Sequence, residues 1–201
     1  MKVLLDPGHG QNTKGKRSPI WEDGSQLFEW EFTRDVCRRI EKRLTRLKIP
    51  SEIIVKEAID ISLPVRVRRA DEIYAREDCF LISVHGNAVD EGPGEGWEVW
   101  TADEDKNKEK KIESDRLATF LFASAKAVLY GYKTRSDYSD GDPDRESKFY
   151  ITTKPKCPSV LTENLFYTDP EECRFMMSDF GRELIAKLHV FGIQSYLNQR
   201  I

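Results

Sequence analysis

The chain has 201 residues, of which 39% are hydrophobic and 33% charged, a make-up that suits one globular domain with a real core. Its 32 Lys and Arg against 35 Asp and Glu leave a net charge of -3, which excludes the general basic footprint of a nucleic-acid binder. No apolar run approaches the roughly 20 residues that cross a bilayer, so membrane insertion is not expected. Met1-Lys2-Val3-Leu4-Leu5-Asp6 turns polar too soon for a secretory signal, so synthesis in the cytoplasm is.

Val3-Leu4-Leu5, stopped by Asp6-Pro7-Gly8, reads as a buried strand emptying into a turn, followed by a polar loop to about residue 26. From Leu27 to Lys48 the apolar residues Phe28, Phe32, Val36, Ile40, Leu44 and Leu47 recur at helical spacing, and Pro50 ends that helix. Ile53-Ile54-Val55 predicts a second strand, and Ser62 with Pro64 opens a helix to about Arg76. Cys79 to Val84 predicts a third strand and Trp97-Glu98-Val99-Trp100 a fourth. A highly charged stretch from Asp103 to Arg116 reads as a solvated helix start, the helix running from about Lys110 to Tyr130 and a polar loop from there through Asp144. Ser159 to Thr162 is the last clear strand, and Pro170 to Leu197 is helical with a break near Ser178. Strands alternating with helices predict an α/β fold: a single domain, residues 1–201, with a largely parallel mixed central sheet and helices on both faces.

Cys37, Cys79, Cys157 and Cys173 lack CxxC spacing and read as reduced core thiols. Histidine is scarce, yet His9 and His85 each follow a predicted strand and precede a glycine, at the edge where open α/β sheets bind ligands. The strand from Ser159 brings Glu163 and then Asn164 to the same edge, where a carboxylate needs a partner, a hydrogen bond or a metal. Glu29 stands near the start of the first helix; by itself it reads as a solvated glutamate favoured by the helix dipole. Two imidazoles and a carboxylate are a common catalytic zinc set with a fourth position left for water, and a second carboxylate beside it would serve as base.

In order, Leu5-Asp6-Pro7-Gly8-His9-Gly10, a helix-opening Glu29, Ser83-Val84-His85-Gly86-Asn87 and Val160-Leu161-Thr162-Glu163-Asn164 resemble the four signature blocks of the zinc-dependent N-acetylmuramoyl-L-alanine amidases. The resemblance runs from Val3 to the final helix. It implies hydrolysis of the amide between N-acetylmuramic acid and L-alanine in peptidoglycan, with Zn²⁺ on His9, Glu29 and His85, and with Glu163 as general base and acid. Asn87 is a candidate for positioning a ligand or the substrate, and Lys14, Lys16 and Arg17 for meeting stem-peptide carboxylates. Peptidoglycan or muropeptides are the expected partners, met at the wall after release or export, or in the cytoplasm during recycling. The chain departs from the usual pattern in its Gln11–Pro19 loop, in Gly86 before Asn87, and in a longer crossover from Gly94 to Lys148; no separate wall-binding domain is evident. The rival readings are a zinc exopeptidase on ordinary peptides, a non-catalytic wall-binding module and a purely structural protein.

Glu22, Glu29 and Glu31 all compete for the ligand role on sequence alone. On a wheel of about 100° per residue, Glu29 falls within about 20° of the centre of the apolar stripe, and Glu31 lies about 140° away. Arg43 also falls on the stripe, near the far end, where its long stem can carry the charge to water.

Overall fold

Val3, Leu4 and Leu5 are fully buried in β1 (Lys2–Pro7), which pairs in parallel with β2 (Ser51–Ile53) on one side and β3 (Cys79–Asn87) on the other. The computed structural model describes residues 1–91 and 94–199. Beyond β3, the sheet continues with β4 (Trp97–Ala102), β5 (Arg145–Ser147) and β6 (Ser159–Phe166) in the spatial order β2-β1-β3-β6-β4-β5. β6 runs parallel to β3, and β4 is antiparallel to β6, so the sheet is mixed but mostly parallel. Because β1 has its sequence successor β2 on one side and β3 on the other, the order reverses at the β1/β3 boundary, which is where such sheets bind ligands.

Side chains alternate between the two faces of a strand, and both faces here are apolar. Val3, Leu5, Phe80, Ile82, Val84, Val99 and Val160 enter one core together with the buried stripes of α1 (Glu29–Arg46), α3 (Lys108–Val128) and α6 (Asp179–Asn198). Leu4, Cys79, Leu81 and Leu161 face the other way, onto Val67, Ala70 and Ile73 of α2 (Leu63–Tyr74) and Ile151 of α4 (Tyr150–Thr153). Phe32, Val36, Ile40 and Leu44 of α1 are wholly buried, each contributing about 1.5–3 kcal/mol. Their neighbours at the stripe's ends, Phe28 and Leu47, lie outside the helix and are exposed. α5 (Pro170–Met177) and α6 meet at Ser178, whose hydroxyl caps α6 by accepting the Gly181 N–H, so the break falls where the sequence places it. Among the described residues no helix is long and apolar enough to cross a membrane.

Several elements differ from expectation. β2 lies two residues earlier than Ile53–Val55, because the Pro50 carbonyl already accepts the Val3 N–H and sets the register from there. β5 and α4, three and four residues long, carry no periodic apolar signal and fall after Asp144, in a stretch to which the sequence assigns no element. β3 and β6 run past Val84 and Thr162, so His85 and Glu163 sit within strands rather than beyond them. The charged start of α3 is not wholly solvated: Lys110 is buried, pairs with Asp105 at 2.6 Å and donates to the carbonyls of Thr152 and Thr153. Its stem can be buried because every face of the ammonium has an oxygen to meet. The four cysteines are buried and free.

Candidate active site

The turn after β1 puts His9 into the left-handed region, at φ 59°, a conformation most side chains avoid. Two arginines hold it there. Arg34 Nη1 donates to the His9 carbonyl at 2.9 Å, and Arg66 Nη1 donates to Asp6 Oδ1 at 2.7 Å and to the Pro7 carbonyl at 2.8 Å. The flanking glycines are set by close approach: a Cβ on Gly8 would lie 2.4 Å from the His85 ring, and one on Gly10 2.0 Å from the Asp60 backbone nitrogen. The turn therefore presses His9 toward His85, with the two rings edge to face at 5.0 Å.

Glu29, the first residue of α1, points into the space between them and is 1% exposed. Its Oε1 lies 3.1 Å from His85 Nδ1 and 3.5 Å from His9 Nε2, and accepts the Gly86 N–H. Its Oε2 is buried with no partner. Burial works against the Glu29 carboxylate, but the hydrogen bond and charges of His85 and the charge of His9 outweigh it and hold its pKa below the usual range. Burial pushes His9 down to about 4, so its imidazole is neutral near pH 7. Burial also disfavours the His85 imidazolium, yet the Glu29 bond and the charges of Glu163, Glu29 and Asp6 raise its pKa overall.

On its other side, His85 Nε2 lies 3.1 Å from Ser83 Oγ, and that hydroxyl donates to Asp6 Oδ2 at 2.7 Å. With the Ser83 proton directed at Asp6, its oxygen accepts from His85 Nε2–H, which leaves the Nδ1 lone pair facing the Glu29 oxygen. Two acceptors at 3.1 Å need a cation between them, either a proton or a metal. One ligand atom each from His9, Glu29 and His85 lies within 4.8 Å of the other two, and a nitrogen–nitrogen–oxygen set with an orphaned carboxylate oxygen fits zinc. Ser83→Ala is expected to lower metal affinity by about 10–100-fold with the three ligands intact, as read by competition with a chelating dye. Unchanged affinity would remove Ser83 from this arrangement.

Across the sheet, His85 of β3, Glu163 of β6 and Glu98 of β4 occupy one register line on the same face. Glu163 Oε2 is buried without a hydrogen-bond partner. Burial, with the negative charges of Glu29 and Glu98, pushes Glu163 up to about 8 against the pull of His85. Glu98 is itself buried, held by Arg135 at 2.8 Å, Asn87 Nδ2 at 2.8 Å and Trp100 Nε1 at 3.1 Å. Asn87 thus turns its amide toward Glu98, and its Oδ1 accepts the Ala88 N–H. Asn164, the last residue of its block, is an internal brace: it donates to the His85 carbonyl and accepts from Trp97 Nε1.

His9, Glu29, His85 and Glu163 are therefore brought to one place, whereas Glu31 faces outward and pairs with Arg182. Of the basic loop residues, Lys14 and Arg17 are exposed and Lys16 is half-buried, close enough for its charge to favour ionised Glu29 and Glu163. A cleft of about 390 Å³ opens beside His9 and His85 between Thr13, Asp60, Ser62 and Leu63. Glu98, Ser83 and Arg66 escape sequence reasoning, since only strand register and the α2 packing carry them here; the buried glutamate between Trp97 and Val99 is the one signal that could have shown Glu98. The third histidine, His189, is a core residue, bonded to Thr162 and the Ile185 carbonyl, and burial lowers it to about 4.

A family model described as N-acetylmuramoyl-L-alanine amidase matches residues 3–195. The chain is 25% identical over 96% of its length to N-acetylmuramoyl-L-alanine amidase LytC of Bacillus subtilis, and 26% identical over 98% to the endolysin of Bacillus phage SPP1. It spans 35% and 66% of those two proteins. It also matches the crystal structure of N-acetylmuramoyl-L-alanine amidase from Clostridium difficile 630 at 25% identity with a TM-score of 0.83, covering 100% of this chain and 98% of the other.

Proposed function

The chain belongs to the N-acetylmuramoyl-L-alanine amidase family, and from that premise we propose that residues 1–201 form one catalytic domain acting on peptidoglycan or muropeptides. The bond cleaved is the amide joining the lactyl group of N-acetylmuramic acid to the L-alanine of the stem peptide. The observation that carries this reading is the pairing of a His9, Glu29, His85 ligand set with an unpartnered Glu163 oxygen one strand away in register.

In this reading His9 Nε2, His85 Nδ1 and a Glu29 carboxylate oxygen would hold Zn²⁺, which would supply positive charge to polarise the scissile carbonyl and to acidify water. Glu163 takes a proton from the attacking water at its free Oε2 and delivers it to the departing alanine nitrogen. Burial and the charges of Glu29 and Glu98 raise the proton affinity of Glu163, which favours its taking that proton, and the positive charge of a bound metal would draw it back toward the usual carboxylate range, so that the proton can be released. Asn87 and Arg135 fix Glu98, which keeps negative charge beside Glu163 and so sustains its raised pKa. With both ends of its amide so engaged, Asn87 would act on the substrate through Glu98 rather than by direct contact. Lys16, whose charge reaches Glu29 and Glu163, would be available to a stem-peptide carboxylate.

The test is mass spectrometry of purified peptidoglycan digested with the zinc-loaded protein. Free stem peptides beginning with L-alanine, with glycan strands left intact, are expected. Cleavage within the stem peptide, or of plain peptides lacking the sugar, would overturn the reading in favour of a peptidase.

A further inference from the structure

A second group of acidic side chains lies at the β5 edge of the sheet, on the loop after α3 and in β5. Asp140, Asp142, Asp144 and Glu146 alternate along Asp-Gly-Asp-Pro-Asp-Arg-Glu, and Asp115 of α3 faces them. Carboxylate oxygens of Asp115, Asp142 and Asp144 lie within 4.8 Å of one another, and those of Asp140, Asp142 and Glu146 form a second such trio, so Asp142 belongs to both.

Acidic clusters are common on surfaces, but this one reaches the interior. Asp144 is 0% exposed; its Oδ2 accepts from the Thr101 hydroxyl at 2.7 Å, and its Oδ1 is buried with no partner. Glu146 Oε1 is likewise buried without a hydrogen bond. Lys111 is the cation that meets the cluster, 2.5 Å from Asp115 and 3.6 Å from Glu146. Arg145, between Asp144 and Glu146 in sequence, turns away to cover the Trp100 ring at 4.9 Å. Among the described residues five carboxylates thus gather around one ammonium, an imbalance that protons or a further cation would neutralise. Burial, aided by the neighbouring acids, pushes Asp144 up to about 9 and Glu146 up to about 7, so the groups that crowd here resist ionising together.

We infer that Asp115, Asp142 and Asp144, with Asp140 and Glu146 at the rim, form a calcium site separate from the His9, Glu29, His85 centre. The donor set is all oxygen, with neither imidazole nor thiolate, which selects a hard cation over zinc. Several carboxylates on a short loop suit the six to eight flexible oxygen ligands of Ca²⁺ better than the strict octahedron of Mg²⁺. The ion would tie α3, β4 and β5 together through Asp115, the Thr101-bound Asp144, and Glu146. It would also fix Arg145, whose Nε lies 3.9 Å from Glu98, the buried neighbour of Glu163.

The test is a thermal melt of zinc-loaded protein, stripped of other metals, with and without added CaCl₂, together with a calorimetric titration. One calcium per chain is expected, with Tm rising by about 5–10 °C when calcium is a hundredfold above its Kd. Asp142→Asn should lose the calcium response and keep its zinc. It should also melt higher than the parent in the absence of calcium, because a repelling charge has been removed. The more exposed Asp140→Asn, which leaves the Asp115, Asp142 and Asp144 trio intact, should only weaken binding and serves if the other variant fails to fold. No calcium binding by the parent, or an equal calcium response in Asp142→Asn or an undiminished one in Asp140→Asn, would overturn the assignment; binding of Mg²⁺ as tight as that of Ca²⁺ would overturn the choice of ion.

Discussion

Glu163→Gln keeps one metal ion per chain and loses about a hundredfold to ten-thousandfold in turnover, the range that general acid–base catalysis contributes. The substitution preserves size and removes only the ability to exchange a proton. Glu163 stands in register with His85, and its contribution comes from an oxygen with no other partner. Metal content by atomic absorption and turnover on muropeptides are to be measured on the same preparation. A variant that emptied of metal would make Glu163 a ligand, and one with full turnover would relieve it of any role in proton transfer.

Glu29→Ala loses roughly a hundredfold in zinc affinity and with it the activity, whereas Glu31→Ala changes neither appreciably. Bound zinc is worth about 10–16 kcal/mol in small structural sites, so one of four ligands accounts for roughly 3 kcal/mol, which is about a hundredfold. Glu31 is exposed and paired with Arg182 Nη1 at 2.7 Å, an arrangement worth about 0–1 kcal/mol of stability and remote from the metal ligands. Zinc titration of the two variants against a competing chelator ranks them, and the reverse order would refute the ligand assignment.

The wheel separates these glutamates before any coordinates are seen, because a helix turning about 100° per residue fixes which side chains share a face. The same local periodicity makes α1, the strand β1 with its turn into His9, the core of β3 and the break at Ser178 legible in the sequence, though not that β3 continues through His85. These features are written in short-range spacing, which a chain carries wherever it folds. His9, Glu29, His85 and Glu163 stand out for the same reason, each being a polar group where an apolar element ends or faces the core.

Tertiary structure alone decided the rest. β4 pairs antiparallel to β6, and only that register sets Glu98 beside Glu163; strand pairing depends on partners distant in sequence, which no local pattern specifies. Ser83 and Asp6 read as an interior hydroxyl and a turn acid until the parallel β1–β3 pairing sets them opposite one another beneath His85. Asp115 reads as one charge in a solvated stretch, and joins an acidic group anchored on the buried Asp144 only when the loop to β5 folds back over α3 and β4. Sequence fixes what each side chain can do within its own turn or strand, while the neighbours that change its charge and proton affinity arrive through packing, whose desolvation and Coulomb energies depend on distances only the folded chain defines.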